Sequence, residues 1–157
     1  ILNDQNSNKI SSSAIRDNLK SGKFELANKD LERNFSVAGK VIKGDQRGRT
    51  IGIPTANLEY PLNTITIPYG VYAVETIIEG NTYFGIVNFG IRPTFNKDKP
   101  IVEAYLFDFD NDIYDKDIEI LFHKQIRQEK KFNDIKELLN QINIDIAEAK
   151  KILKYGN

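Results

Sequence analysis

Apolar and polar residues alternate along the middle of the chain with a period of two, which is the pattern of half-buried β-strands. A turn-forming stretch at 79–81 joins two of the alternating segments as a hairpin. Because no helical segment separates the predicted strands, we expect antiparallel pairing. The strands are predicted over residues 35–43, 70–78, 82–91, 101–109 and 117–126.

Two short helices are predicted before the first strand. In the first, Ile15 and Leu19 lie one turn apart, and Gly22 follows as a stop signal. The serines at 11–13 are candidate N-caps for this helix. Neither helix has enough apolar surface to be stable alone. The apolar positions of the second helix are Phe24, Ala27 and Leu31.

A long helix is predicted at the other end of the chain, with Asn133 as its N-cap. Strands around a core, followed by one long helix, predict a mainly β fold: a small antiparallel β-barrel with a C-terminal helix. The helix presents one apolar stripe, made by Ile135, Leu138, Leu139, Ile142, Ile146, Ala149, Ile152 and Leu153.

Composition excludes several classes of protein. The 157 residues carry 22 basic and 22 acidic side chains, so there is no basic excess of the kind that a nucleic-acid-binding protein uses against phosphates. No apolar run approaches membrane-spanning length. Cysteine is absent, which excludes disulfides, thiol catalysis and cysteine metal sites, and for this reason we expect a cytoplasmic protein. Methionine is also absent, even at position 1, so we expect a piece of a longer protein.

The segment KGDQRGRTIGIPTAN (43–57) has the composition of a phosphate-binding loop. Gly44, Gly48 and Gly52 allow backbone N–H groups to approach an anion, and the guanidinium of Arg49 can hold phosphate oxygens. It is not a P-loop, because the glycine spacing is one residue too short and arginine replaces lysine. For the glycines alone, a solvent-exposed surface loop is the competing interpretation.

The end of the same segment favours a metal-nucleotide site. Pro54 restricts the backbone, and extended geometry places Thr55 and Asn57 on one face. A hydroxyl and a carboxamide oxygen are ligands that suit Mg²⁺ bound to phosphates.

Glu103 is the candidate general base. Strand alternation places it on one face with Ile101, Tyr105 and Phe107, where partial desolvation would raise its proton affinity. A glutamate at a strand edge, or one paired with an arginine, is the alternative interpretation.

The last strand contains the single histidine, His123, and is predicted to point it outward with Glu119 and Gln125. One histidine without cysteine supports neither a zinc site nor a catalytic triad. The inward face of this strand is predicted to consist of Ile118, Ile120, Phe122 and Ile126.

The segment IRQEKKF (126–132) leads from the last strand into the long helix. Arg127, Glu129 and Phe132 could hold a polar aromatic ligand by hydrogen bonds and stacking. A charged connector in which Phe132 staples the helix start is the alternative. The acidic stretch 108–117 lacks the glycine and the glutamate of an EF-hand and is interpreted as a solvated turn.

Taken together, these segments resemble the riboflavin kinase family. The match extends over residues 35–154 and rests on the order and spacing of several motifs rather than on one. The resemblance implies a six-stranded antiparallel Greek-key barrel that phosphorylates the ribityl 5′-hydroxyl of riboflavin with Mg-ATP, giving FMN and ADP. The motifs are GKVIKGDQRGRTIGIPTANL (39–58), GVYAV (70–74), NFGIRPTF (88–95), VEAYLFDFDNDIYD (102–115) and IRQEKKF (126–132).

The resemblance also implies roles for individual residues. Glu103 is the expected catalytic base, and Thr55 and Asn57 are the expected ligands of the Mg²⁺–nucleotide. Arg127, Glu129 and Phe132 are expected beside the flavin. The expected ATP-binding residues are Gly44, Gly48, Arg49, Gly52, Pro54, Thr55, Asn57 and Tyr114.

A short segment near the start of the chain resembles part of a second domain. The segment ISSSAIR (10–16) is similar to the end of the adenylyltransferase domain in bacterial bifunctional FAD synthetases, with Ser13 replacing the usual threonine. We therefore expect residues 1–34 to be a remnant of that domain, without activity, and 35–157 to form the kinase barrel. The His-x-Gly-His type of motif that the second activity uses is absent, so FAD formation is not expected.

Two other functions are compatible with a barrel. A flavin-binding carrier or sensor would keep an aromatic pocket but would not need Thr55, Asn57 and Glu103 together. An oligonucleotide-binding barrel would interleave basic and aromatic residues on its strands, and the balanced charge speaks against it.

Overall fold

The computed structural model contains a strand at each of the five predicted positions and a helix at each of the three. The structure describes residues 2–3, 9–10, 12–43, 55–91 and 99–156. The elements are β1 (Leu2–Asn3), β2 (Lys9–Ile10), α1 (Ser12–Lys20), α2 (Phe24–Leu31), β3 (Phe35–Lys40), β4 (Ala56–Glu59), β5 (Gly70–Ile78), β6 (Asn81–Ile91), β7 (Pro100–Leu106), β8 (Asp117–Gln128) and α3 (Ile135–Leu153).

β3 and β7 end before their predicted limits, and β1, β2 and β4 were not predicted as strands. β3 stops at Lys40 rather than at residue 43, and β7 stops at Leu106, where the chain turns through Asp108 with a φ of 54°. The pattern placed β4 in a long loop, because four residues are too few to establish an alternation. The short β1–β2 pair was not predicted either.

Six strands form one antiparallel sheet in the order β3-β8-β5-β6-β7-β4. β5, β6 and β7 follow one another as hairpin neighbours and β8 returns beside β5, which is the expected Greek-key order. The sheet is curled into a half-barrel. Its two edges approach each other at an isolated bridge, where the backbone N–H of Ile42 donates to the carbonyl of Asn57 at 2.8 Å.

The inner face of the sheet forms the main hydrophobic core, and α2 completes it. Phe24 of α2 is 1% exposed, and its ring lies against the rings of Phe35, Tyr72 and Phe122, with centroids 5.1–6.1 Å apart. Asn28 of α2 joins helix to sheet, because it accepts from the Phe35 N–H and donates to the Phe122 carbonyl. The short N-terminal helices are therefore stabilised by the barrel.

The outer face of the sheet is partly covered by α3. Ala149 and Leu153 of α3 pack with Val71, Ala73 and Ile86 in a second, smaller cluster. The helix begins one residue later than predicted: the N-cap is Asp134, not Asn133. Asp134 accepts from the Glu137 N–H at 2.8 Å, and the Glu137 carboxylate accepts from the Asn133 N–H at 3.1 Å, which is a reciprocal cap.

The prediction for the inward face of β8 was wrong at Ile126. Ile126 packs in the outer cluster, and Gln125 pairs with the core residue Tyr72. The reason is two register shifts against β5, which leave His123 and Ile126 as extra residues in β8. Each bulge exchanges the faces of the residues that follow it, so simple alternation fails from Lys124 to Ile126 and holds again at Arg127.

His123 is also less exposed than a surface histidine. Its Nε2 lies 2.9 Å from Glu75 Oε1 and 3.0 Å from Asn34 Nδ2, and its side chain is 26% exposed. Within the described part of the chain, no group of three acidic, histidine or cysteine side chains could hold a metal ion. None of the described helices is long and apolar enough to cross a membrane.

Candidate active site

Three polar side chains lie side by side on the outer face of the sheet. Asn57 of β4 pairs with Glu103 of β7, and Glu103 pairs with Asn88 of β6. Paired residues of antiparallel strands project to the same face, with Cβ atoms about 4.5–5.5 Å apart. A single carboxylate is thus flanked by two carboxamides, and we call these three residues the polar row.

The predicted face of Glu103 is confirmed. Its neighbours along β7, Val102 and Ala104, belong to the inner core, whereas Tyr105 and Phe107 belong to the outer cluster. Glu103 itself is half-buried. The polar row therefore lies beside an apolar and aromatic surface, where hydrogen bonds and charges are stronger than in open water.

Two oxygen atoms of the polar row are buried without a hydrogen-bond partner in the part of the chain that the structure describes. They are the Oδ1 atoms of Asn57, which is 4% exposed, and of Asn88. An unsatisfied buried acceptor costs about 1–3 kcal/mol. Such atoms are rare in stable proteins unless a ligand, an ion or water completes them.

The donor set on this face fits a magnesium ion. Asn57 offers its orphaned carboxamide oxygen, and the half-buried Thr55 directly precedes β4. Hydroxyl and carboxamide oxygens are hard ligands, and Mg²⁺ in proteins takes few of them because phosphates and waters complete its octahedron.

Arg127 of β8 lies in register with the polar row, two strands beyond Asn88, with Val71 of β5 between them. Its guanidinium is held by Asp145 of α3: Nε lies 3.0 Å from both carboxylate oxygens, and Nη2 lies 2.9 Å from Oδ2. Asp145 is 1% exposed and also accepts from Gln141 Nε2 at 3.0 Å.

Asp145 was not predicted as a site residue from the sequence. The signal was available, since Asp145 is a charged residue on the apolar stripe, three positions after Ile142 and four before Ala149. A charge at such a position needs a buried partner. Arg127 is that partner, so the guanidinium is oriented by α3.

The other two residues expected beside the flavin lie near Arg127. The Phe132 ring centroid lies 5.7 Å from the Arg127 guanidinium carbon. Glu129 reaches back over β6, where a Cβ on Gly90 would lie 1.9 Å from its Oε1. Gly90 is two residues from Asn88 on the same face, so the Glu129 carboxylate and the polar row share one side of the sheet.

Tyr114 lies on the loop between β7 and β8 and is half exposed. The Lys43 ammonium lies 5.3 Å from the centre of its ring. Lys43 is the first residue of the glycine-rich segment, so Tyr114 lies near the start of that segment. Its neighbour Ile113 is buried in the core, so the acidic turn is anchored rather than wholly solvated.

Five of the expected ATP-binding residues lie outside the described part of the chain: Gly44, Gly48, Arg49, Gly52 and Pro54. Asn88 is the first residue of the NFGIRPTF motif (88–95), but the sequence indicated no role for its side chain. Only the strand pairing places it next to Glu103.

Comparison with known proteins is consistent with this geometry. The family model Flavokinase (riboflavin kinase) matches residues 31–153. The bifunctional riboflavin kinase/FMN adenylyltransferase of Bacillus subtilis is 48% identical over 144 residues, which are 90% of this chain and 46% of that protein. Its counterpart in Escherichia coli K12 is 39% identical over 145 residues, again 46% of its length. The chain spans about half the length of the curated relatives it matches.

Solved structures give the same fold. A protein from Streptococcus pneumoniae described as a macrolide-efflux protein is 34% identical, with a TM-score of 0.81 over 92% of this chain and 47% of its own. Riboflavin kinase from Trypanosoma brucei has a TM-score of 0.55 and covers 77% of this chain and 80% of its own. At 20% identity, the second similarity is one of fold alone.

Proposed function

Because this chain belongs to the riboflavin kinase family, we propose that it transfers the γ-phosphate of ATP to the 5′-hydroxyl of riboflavin, giving FMN and ADP. The observation that carries the proposal is the polar row, in which a carboxylate and an orphaned buried carboxamide oxygen are direct neighbours on one face. Phosphoryl transfer to an alcohol needs a group that accepts the hydroxyl proton and oxygens that hold the metal-bound phosphates.

Glu103 is the proposed general base. It accepts the proton of the 5′-hydroxyl as the hydroxyl oxygen attacks the γ-phosphorus, and the bond from that phosphorus to the bridging oxygen of ADP breaks. The half-buried position beside Tyr105 and Phe107 limits the water that could compete for the carboxylate.

Thr55 and Asn57 are the proposed ligands of Mg²⁺. The ion would neutralise charge on the phosphates during transfer. The role of the two residues is to hold the metal–nucleotide complex beside Glu103, and the orphaned Asn57 Oδ1 supports this assignment.

The ATP phosphates are proposed to lie under the glycine-rich segment. Its backbone N–H groups at Gly44, Gly48 and Gly52 and the Arg49 side chain would contact them, with Pro54 shaping the end of the loop. Tyr114 would border the nucleotide, which is supported by its contact with Lys43 at the start of the segment.

The flavin ring is proposed to lie at the other end of the site, by Arg127, Glu129 and Phe132. Arg127 is three strands from Glu103 in the sheet, which is about 14 Å at normal strand spacing. An elongated substrate with its reacting hydroxyl at one end fits this separation. Asp145 supports the assignment, because it fixes the guanidinium by three short contacts.

The parent protein is proposed to continue into an adenylyltransferase domain. Support comes from the relatives, which are named for both activities and of which this chain matches about half. Residues 1–34 would then connect the two domains, and 35–157 would be the kinase domain.

The proposed base is tested by Glu103→Gln. With riboflavin and Mg-ATP, we expect the parent to form FMN and ADP, and the variant to lose roughly 100-fold or more in kcat, because a carboxamide cannot accept the proton. Flavin binding, followed by quenching of flavin fluorescence, should change little.

Glu79→Gln is the matched control, since Glu79 lies in the exposed turn between β5 and β6. It should behave like the parent. If Glu103→Gln turned over at the parental rate, Glu103 would not be the base. If the parent bound flavin without forming FMN, the protein would be a flavin carrier.

A further inference from the structure

We propose that Asn88 positions Glu103 in the substrate complex, where its carboxamide NH₂ group would donate a hydrogen bond to the Glu103 carboxylate. This inference rests on the proposed role of Glu103. Asn88 is not among the residues expected to contact the metal, the nucleotide or the flavin.

The strand register places Glu103 directly beside Asn88 on the same face of the sheet. On one side Asn88 pairs with Val71 of β5, and on the other with Glu103 of β7. On its own strand, the neighbours on the same face are Ile86, which is buried, and Gly90. A carboxamide in such apolar surroundings is costly unless it bonds to a polar neighbour.

The chemistry of the two groups determines the direction of the bond. An ionised carboxylate only accepts hydrogen bonds, and of the two ends of a carboxamide only the NH₂ group donates. The donor end of Asn88 is therefore the end that suits Glu103. The acceptor end, Oδ1, is buried and has no partner among the described residues.

The arrangement would restrict the rotamer of Glu103. A glutamate side chain has three rotatable bonds, and a base must meet the substrate hydroxyl within hydrogen-bond distance. Asn57 approaches from the opposite strand and is assigned to the metal, whereas Asn88 lies beside the carboxylate on the β6 side.

The test uses Asn88→Leu, which keeps the approximate shape and removes the donor. We expect kcat to fall about 10- to 100-fold, the loss typical of a misplaced catalytic group, while the KM values for riboflavin and Mg-ATP change less than about twofold. Asn88→Ser, whose hydroxyl can still donate, should recover part of kcat. Thermal unfolding of both variants is measured, so that a folding defect is recognised.

Asn81→Leu is the control on the same strand. Asn81 lies at the other end of β6, opposite Ile78 and exposed, and its variant should keep the parental kcat.

A double-mutant cycle decides whether Asn88 acts through Glu103. In a Glu103→Gln background, assayed with enzyme in excess over riboflavin, Asn88→Leu should cause no further loss. An equal loss in both backgrounds, an unchanged kcat, or a raised KM for Mg-ATP would each overturn the proposal. A parental rate in Glu103→Gln alone would instead remove the role of Glu103.

Discussion

At the scale of single residues, Gly90 shows how a missing side chain shapes the site. A Cβ at this position would lie 1.9 Å from Oε1 and 2.6 Å from Cδ of Glu129. Gly90 has no positive φ, so the absence of a side chain matters here for the space that it leaves to the Glu129 carboxylate. The Glu129 carboxylate can therefore lie against β6 at Gly90, which is two residues from Asn88 of the polar row.

We predict that Gly90→Ala weakens riboflavin binding without unfolding the protein. The new methyl group displaces the Glu129 carboxylate, and KM for riboflavin should rise about tenfold, the equivalent of one hydrogen bond. Since Glu129 is exposed and can move aside, the free energy of unfolding should change by less than about 1 kcal/mol. Steady-state kinetics and urea unfolding measure the two effects.

The control for this prediction is the same substitution in a Glu129→Ala background. There the methyl group meets no carboxylate, so no further rise in KM is expected. A rise of equal size in both backgrounds would show that Gly90 acts independently of Glu129.

The residues of the site differ in how clearly the sequence indicates them. Sequence indicated Glu103 correctly as a polar residue on an apolar face, because alternation along one strand is a local property. Asn88 and Asp145 carried weaker signals, since their importance depends on Glu103 and Arg127 in other elements.

At the scale of elements, α2 is part of the barrel core. Phe24 and Ala27 are fully buried against β3, β5 and β8, although the family match begins only at residue 31. If 1–34 is a connecting segment of the parent protein, its second helix still closes one side of the kinase core.

We predict that Phe24→Ala destabilises the whole domain. The side chain is 1% exposed and contacts three aromatic rings, so its removal should cost about 3–5 kcal/mol of the free energy of unfolding. Leu26→Ala on the same helix is the control: Leu26 is 52% exposed, and its loss should cost less than about 0.5 kcal/mol. Urea titrations followed by circular dichroism compare them, and equal costs would mean that α2 is not coupled to the barrel.

At the scale of the whole molecule, the outer face of one curled sheet brings together the proposed sites for both substrates. The polar row lies towards the β4 edge, and Arg127 lies beyond β5 next to α3. The inner face of the sheet forms the main hydrophobic core. The residues of the proposed site and the residues of this core therefore lie on opposite faces of the same strands.

We predict that this chain forms FMN but does not form FAD. Incubated with FMN and Mg-ATP, it should release no pyrophosphate, because the second activity is associated with a motif of two histidines. Its single histidine is held between Glu75 and Asn34. Chromatography of the flavins measures both products, and FAD formation above the enzyme-free blank would contradict the prediction.

The sequence by itself determined the positions of the five longer strands and the three helices, the face of Glu103 on β7, and the family, because periodicity and motif spacing are properties of short segments. The tertiary structure alone decided which residues flank Glu103, which carboxylate holds Arg127, and where β8 exchanges its faces at His123 and Ile126. These features depend on the register between strands distant in sequence. Register is set by the packing of the whole sheet, which no local pattern contains.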